Sequence, residues 1–360
     1  MNIYEITEDY LRNETGGTLA TIVNKVGATP QHAGAKIFIG GDGKIFGTIG
    51  GGCLEAEVWQ EARRISNTNE NKLLHFAMNG SCVEDEGMIC GGSVDVFLEP
   101  VLQKYHDVYK GIKNCMEEDD RALVITTFFN RSFTKTLLYR DGKTLGDPLP
   151  ENIGRSIEGY FDAGKLIFQE GAIIEPIAAP SHLYIFGAGH VSQYISTIAK
   201  IAEFEVTVID DRESFANKER FPEADEIIVE EFKSVFKRIH IKPDEYAVIV
   251  TRGHAHDAFI LEEVLKKPCR YMGMIGSKRK TKIIFDHLKT AEVDENVFNE
   301  ADAPLILLQK TRKKVLFDEN ILNKVHAPIG IDIGAETPQE IAVSIVAELI
   351  RERRAKKRRL

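Results

Sequence analysis

The chain changes rhythm at its middle. From Thr18 to about Ala178 the apolar positions come in short runs broken by polar punctuation. Leu19-Ala-Thr-Ile-Val23, Lys36-Ile-Phe-Ile39 and Lys44-Ile-Phe46 read as strands, and Gly41-Asp42-Gly43 supplies the chemistry of a tight hairpin turn. Leu54, Val58, Ala62 and Ile65 then recur at helical spacing, which predicts a helix with one buried face directly after Cys53. Strands are predicted again at 73–76, 94–97, 122–127 and 136–139. The pattern predicts a strand-rich α+β domain over residues 1–178.

Glu175-Pro-Ile-Ala-Ala-Pro-Ser181 reads as a linker, since two prolines favour extended backbone and neither neighbouring pattern runs through it. Beyond it, short apolar runs at 183–186, 206–209, 226–229, 247–250 and 271–275 alternate with helix-length segments. Strands buried on both faces need that pattern. The expected class is therefore α/β, with the α+β domain followed by a Rossmann-like doubly wound parallel sheet over 179–360.

Composition narrows the partners. With 55 acidic and 46 basic residues the net charge is -9, which excludes a general nucleic-acid surface. The basic run at 351–359 reads as a solvated helix end, favoured by the helix dipole. Five cysteines, an odd number spread along the chain, do not form a secreted disulfide framework and point to a reducing cytoplasm. No signal-like start and no apolar run of the roughly 20 residues needed for a span is present, so no membrane role is expected.

Gly187-Ala-Gly-His-Val-Ser192 follows a predicted strand and opens a predicted helix, the setting in which glycines admit a dinucleotide phosphate. Gly187 and Gly189 permit the turn and the close approach, while Ser192 stands where a third glycine would pack helix on strand. Asp210 and Asp211, at the end of the next strand, are candidate partners for a ribose 2′-hydroxyl and argue against NADP. Thr251-Arg-Gly-His254 and Gly276-Ser-Lys-Arg-Lys280 also follow strand ends, so the three loops are expected to build one crevice. There Gly276, Ser277 and Lys278 would offer donors and a cation to a phosphate, with His190 and His254 as further contacts and His256 as a weaker one. The plainer roles are an N-cap for Ser277, solvation for Lys278 and Lys280, and a cap at Asp257.

Two cysteines are flanked by glycine: Cys53 after Gly50-Gly51-Gly52, and Cys90 before Gly91-Gly92. Glycine leaves a sulfur uncovered, and a helix start favours the thiolate. Gly51, Gly52, Cys53 and Cys90 are thus candidate cofactor contacts, with both sulfurs as candidate ligands for a soft metal or as sulfur carriers. Glu55 is a candidate acceptor for a cofactor's amino groups. Buried, inert cysteine is the ordinary alternative. Zinc is not expected, because no Cys-x-x-Cys occurs and the histidines complete no four-ligand spacing. Cys82 is a candidate third participant, and Cys115 and Cys269 read as filler. The rival class, an NAD-dependent oxidoreductase, leaves these thiols unexplained and offers only His190 or His254 as acid or base.

Gly51-Gly-Cys-Leu-Glu55, Cys90-Gly-Gly92, Phe186-Gly-Ala-Gly-His190, Tyr271-Met-Gly-Met-Ile-Gly-Ser-Lys278 and the stretch from His326 to Glu340 together give the chain a resemblance to a known family. It resembles the XdhC/CoxI proteins, accessory factors in the maturation of molybdenum hydroxylases such as xanthine dehydrogenase. The resemblance implies a chaperone that binds the molybdenum cofactor, as molybdopterin or its dinucleotide form, protects it during sulfuration and delivers it. It also implies an apo-hydroxylase and a cysteine desulfurase as partners, and a homodimer. No iron-sulfur cysteine cluster marks the chain as a xanthine dehydrogenase itself. Thr337-Pro-Gln-Glu340 has the pattern of a complete capping box, with Ile341, Ile345 and Leu349 on one face, so a docked helix is expected there. Gly330-Ile-Asp332 and Gln31-His32-Ala-Gly34 are additional candidate contacts, the latter departing from a more proline-rich family pattern.

Overall fold

The computed structural model describes residues 2–77, 92–118, 120–149, 157–161, 163–169, 171–290 and 317–355. The chain divides into two compact units, Met1–Ala179 and Pro180–Leu360.

Alternation of side chains along the strands builds the first unit from two antiparallel sheets. One has the order β3-β2-β1-β5-β4, from β1 (Gly17–Val26), β2 (Lys36–Gly40), β3 (Ile45–Gly47), β4 (Lys72–Ala77) and β5 (Ser93–Pro100). The other has the order β8-β7-β6-β10-β9, from β6 (Arg121–Phe129), β7 (Ser132–Tyr139), β8 (Thr144–Gly146), β9 (Ile167–Gln169) and β10 (Ala172–Ala178). On β5, Val94, Val96 and Leu98 join the core under helix α2 (Gly52–Ile65), which contributes Leu54, Val58, Ala62 and Ile65 as its spacing predicts. Phe97, on the opposite face, packs with Leu19, Val124, Leu137 and Ile173 of both sheets. Two helices not read from the sequence close this second core: α1 (Ile3–Arg12), with an Asn2/Glu5 capping box, and α3 (His106–Glu117).

The linker expectation fails at its first half. Glu175 to Ala178 lie in β10, which pairs with β6 along its whole length, Pro176 opposite Leu123. Proline is accommodated because β9 pairs only with Ala172 to Ile174, leaving Pro176 past the end of its neighbour on that side. Only Ala179 and Pro180 separate β10 from β11 (Ser181–Phe186).

The second unit has one parallel sheet of order β13-β12-β11-β14-β15-β16. Its remaining strands are β12 (Phe204–Asp210), β13 (Glu226–Val229), β14 (Tyr246–Ile249), β15 (Tyr271–Met274) and β16 (Val325–His326). Its helices are α4 (His190–Ile201), α5 (Phe232–Val235), α6 (His254–Leu265), α7 (Lys278–Thr290), α8 (Glu319–Leu322) and α9 (Pro338–Arg354). Leu183, Ile185, Val206 and Val248 face α4 and α9, while Phe186, Ile209 and Ile249 face α6 and α7. The strand order reverses between β11 and β14, which makes this the Rossmann-like arrangement expected from the apolar runs. Among the described residues no helix is long and apolar enough to cross a membrane.

Candidate functional site

At the reversal point two loops meet backbone to backbone. Gly187 has φ +111°, and a Cβ there would lie 2.5 Å from the Val250 carbonyl oxygen, so the loops after β11 and β14 tolerate no side chain between them. Gly189, the residue before α4, has an ordinary φ of -73° and open space where its Cβ would be. The first glycine therefore serves packing, and the second leaves room at a helix start that no side chain caps. Ser192 is fully buried, in the place where a third glycine would pack.

Asp210 braces this loop. Its carboxylate accepts from the Ala188 amide at 2.8 Å and from the Arg212 amide, Nε and guanidinium terminus at 3.1, 2.8 and 2.9 Å, and the residue is 2% exposed. Burial alone would raise its pKa; the Arg212 and Ala188 hydrogen bonds outweigh that and hold it below the ordinary carboxylate value. Both oxygens are engaged by the chain itself. The neighbouring Asp211 keeps a quarter of its side chain exposed and pairs with Arg252 at 2.8 Å, joining the ends of β12 and β14.

A third acid ties the loop after β14 to the one after β15. Asp257, fully buried, accepts from the Thr251 hydroxyl at 2.6 Å and forms an ion pair with Lys280, which also donates to the Ile275 carbonyl at 3.1 Å. Asp257 therefore does not cap its own helix, and Lys280 is not a solvated cation. Ser277 does accept from the Lys280 amide at 3.2 Å, as an N-cap would. Lys278 and Arg279 are exposed, and no ion-pair partner for either occurs among the described residues.

His190 is exposed at the first position of α4. His254 opens α6, with its side chain outside the described residues. His256 packs edge-on against Phe232, with ring centroids 5.4 Å apart, so it is a packing residue. Sequence reasoning missed Arg212, Arg252 and the Thr251-Asp257-Lys280 link. Their position in strand-end loops was visible, but the pairing partners lie up to 41 positions apart.

The stretch from His326 docks on α9 as expected, around one acid. Glu348 accepts from the Tyr271 hydroxyl and the Gly330 amide, both at 2.7 Å, and contacts His326 Nδ1 at 3.1 Å. Burial would raise its pKa, but these bonds pull it to about 2. The Thr337/Glu340 capping box is formed. Asp332 is exposed in the loop before it.

In the first unit, Cys53 occupies the second residue of α2 and is partly exposed. Gly50, Gly51 and Gly52 before it all have positive φ, at +128°, +76° and +59°. One oxygen of Glu55 gathers this loop, accepting from the Thr48 hydroxyl at 2.5 Å and from the Ile49 and Gly51 amides at 2.9 and 3.0 Å. Burial opposes the charge, yet these bonds lower the Glu55 pKa. The loop carrying His32 lies alongside, with Pro30 so close that a Cβ on Gly50 would stand 2.7 Å from it. Cys82, Cys90 and Gly91 lie outside the described residues. Cys115 is buried, and burial pushes the Cys269 thiol up to about 12, in keeping with filler roles.

Comparison with known proteins accounts for both units. Residues 183–307 and 306–349 match the family described as the XdhC Rossmann domain, and residues 11–77 match the XdhC and CoxI family. The chain is 25% identical over 366 residues to a probable xanthine dehydrogenase subunit from Bacillus subtilis, covering 98% of each. It is 24% identical to the uncharacterized protein YqeB of Escherichia coli over 97% of this chain, but spans 46% of that longer protein. A crystal structure of a xanthine dehydrogenase from Bacillus halodurans shares the fold, with a TM-score of 0.77 at 24% identity over 99% of this chain and 97% of that one.

Proposed function

The chain belongs to the XdhC and CoxI family, and on that premise we propose that it binds the molybdenum cofactor and hands it to an apo-hydroxylase. Family membership ties the chain to molybdenum hydroxylase maturation. Holding, shielding and transferring the cofactor are the finer roles proposed for it, with a cysteine desulfurase as sulfur donor and a homodimer as the working form.

The observation that carries this reading is the charge balance at the crevice. Asp210, Asp211 and Asp257 are each matched by a cation of the chain, whereas Lys278 and Arg279 stand in a first helical turn that holds no acid. Cations at a helix start oppose the dipole, and an anion placed there relieves the conflict. With the open space beside Gly189, these residues fit a phosphate-bearing ligand. They fit a bare metal ion poorly: no cluster of three or more His, Cys, Asp or Glu able to hold one occurs among the described residues. Bound cofactor supplies the molybdenum chemistry of the recipient enzyme. The second unit's part is to seat the phosphate on the loop and helix amides near Gly189 and Ser277 and balance its charge with Lys278; the first unit's part is to offer the Cys53 thiol, with Cys90 as a second candidate, as metal ligand or sulfur carrier.

The NAD reading is weakened at its two acids, because Asp210 is buried and fully engaged and the partly exposed Asp211 is paired with Arg252. Anaerobic purification followed by mass spectrometry separates the two. Molybdopterin, as mononucleotide or dinucleotide, is expected with the wild type and lost from Cys53→Ala and Lys278→Ala. Retention of NAD and never of pterin would sink the proposal.

A further inference from the structure

Two ion pairs, one buried and one partly buried at its Glu175 end, cross between the sheets of the first unit. Lys36 of β2 reaches Glu175 of β10 at 2.8 Å, and Lys135 of β7 reaches Glu99 of β5 at 2.8 Å. Tyr4 Oη donates to Glu175 at 2.6 Å, and Lys135 donates to Thr126 Oγ1 at 2.9 Å. Lys36, Glu99 and Lys135 have side chains only 5%, 5% and 3% exposed.

One atom in this seam is left over. Glu99 Oε2 is buried without a hydrogen-bond partner, although the other oxygen of the same carboxylate is paired. An unmatched buried carboxylate oxygen is costly, and such atoms in folded proteins are ordinarily met by a group or a solvent molecule. Beside it lies a cavity of about 10 Å³ lined by Thr21, Lys36, Glu99, Thr126, Lys135 and Glu175, among others. That is the lower limit for one water, roughly 10–15 Å³.

We propose that this cavity is a binding site for a single internal water molecule, which donates to Glu99 Oε2. The charges decide between water and an ion. Two lysines face two glutamates, so the seam is neutral as built, and a cation or anion would leave an uncompensated buried charge. A neutral molecule that both donates and accepts satisfies the carboxylate and takes a hydrogen from the remaining Lys135 N–H. Bridged in this way, the two ion pairs become one hydrogen-bonded seam between the sheets.

A crystal structure of the full chain, at a resolution that shows ordered solvent and from crystals grown in rubidium chloride, tests this. A single peak without anomalous signal, within hydrogen-bond distance of Glu99 Oε2, is expected. An empty cavity, or an anomalous rubidium peak, overturns the proposal. In solution, ¹⁷O magnetic relaxation dispersion should count one fewer long-lived water in Glu99→Met/Lys135→Met than in the wild type, provided circular dichroism shows the variant folded. An unchanged count also overturns it. If the variant does not fold, the wild-type crystal decides alone.

Discussion

The Asp210 carboxylate and the Ala188 amide, 22 residues apart, are joined by a 2.8 Å hydrogen bond that fixes the loop between β11 and α4. The acid at the end of the second strand of a Rossmann-like sheet is here an internal strut. Its charge is compensated by Arg212, which stacks over Phe215 at 3.8 Å. Removing it leaves the partly buried Arg212 guanidinium without its partner and strands the buried Ala188 amide. Asp210→Ala is expected to lose about 3 kcal/mol of stability, the cost of breaking a buried pair, read by urea unfolding. A loss below about 1 kcal/mol would mean the strut is dispensable.

The two glycines of the loop should respond differently to one methyl group. Gly187→Ala forces a side chain into the Val250 carbonyl at a φ of +111°, so a loss of about 1–3 kcal/mol or more is expected. Gly189→Ala meets open space and should leave the unfolding midpoint within about 0.5 kcal/mol of wild type while weakening retention of a pterin phosphate. Equal melting temperatures for the two variants would contradict this division of labour.

Glu348 makes stability depend on acid pH. Its folded pKa, about 2, lies below the ordinary value of 4.5, so its contribution is full above about 4.5 and disappears as pH falls toward 2. The gap corresponds to about 3 kcal/mol. Glu348→Gln should therefore flatten the pH dependence of unfolding free energy between those limits and be less stable than wild type at neutral pH. Parallel curves for the two proteins would assign the acid sensitivity elsewhere.

Thiol labelling should discriminate among the described cysteines. Cys53 is partly exposed at a helix start, Cys115 is 1% exposed, and the Cys269 thiol is pushed up to about 12. Iodoacetamide at mildly alkaline pH, followed by peptide mass spectrometry, should modify Cys53 well ahead of the other two. Faster labelling of Cys115 or Cys269 would remove Cys53 from its proposed role.

The strands of the second unit were legible because most are buried on both faces and so are dominated by apolar residues, β14 being buried throughout, and the loops at their ends follow from the topology. Helix α2 was legible from its apolar spacing. Helices α1 and α3 were not: their buried faces mix Thr7, Glu8, Tyr109 and Cys115 with aliphatic positions, which blurs the period. Pro176 misled for a different reason, since a strand whose neighbour ends early accepts proline. At the crevice, spacing located the acids correctly but could not tell which oxygens were already engaged. That depends on Arg212 and Ala188 meeting Asp210, and on Lys280 folding back to Asp257.

The crossed pairs of the first unit have an evolutionary consequence. Each sheet presents one lysine and one glutamate to the other, in opposite order, so sliding one sheet along the other would bring like charges together in the interior. Replacing a single member leaves its partner's charge unmatched in the seam, a loss of about 3–5 kcal/mol for the more buried pair, a large share of a domain's stability. Drift at positions 36, 99, 135 and 175 is therefore expected to proceed by paired replacement, with each pair varying as a unit among relatives that keep this sandwich.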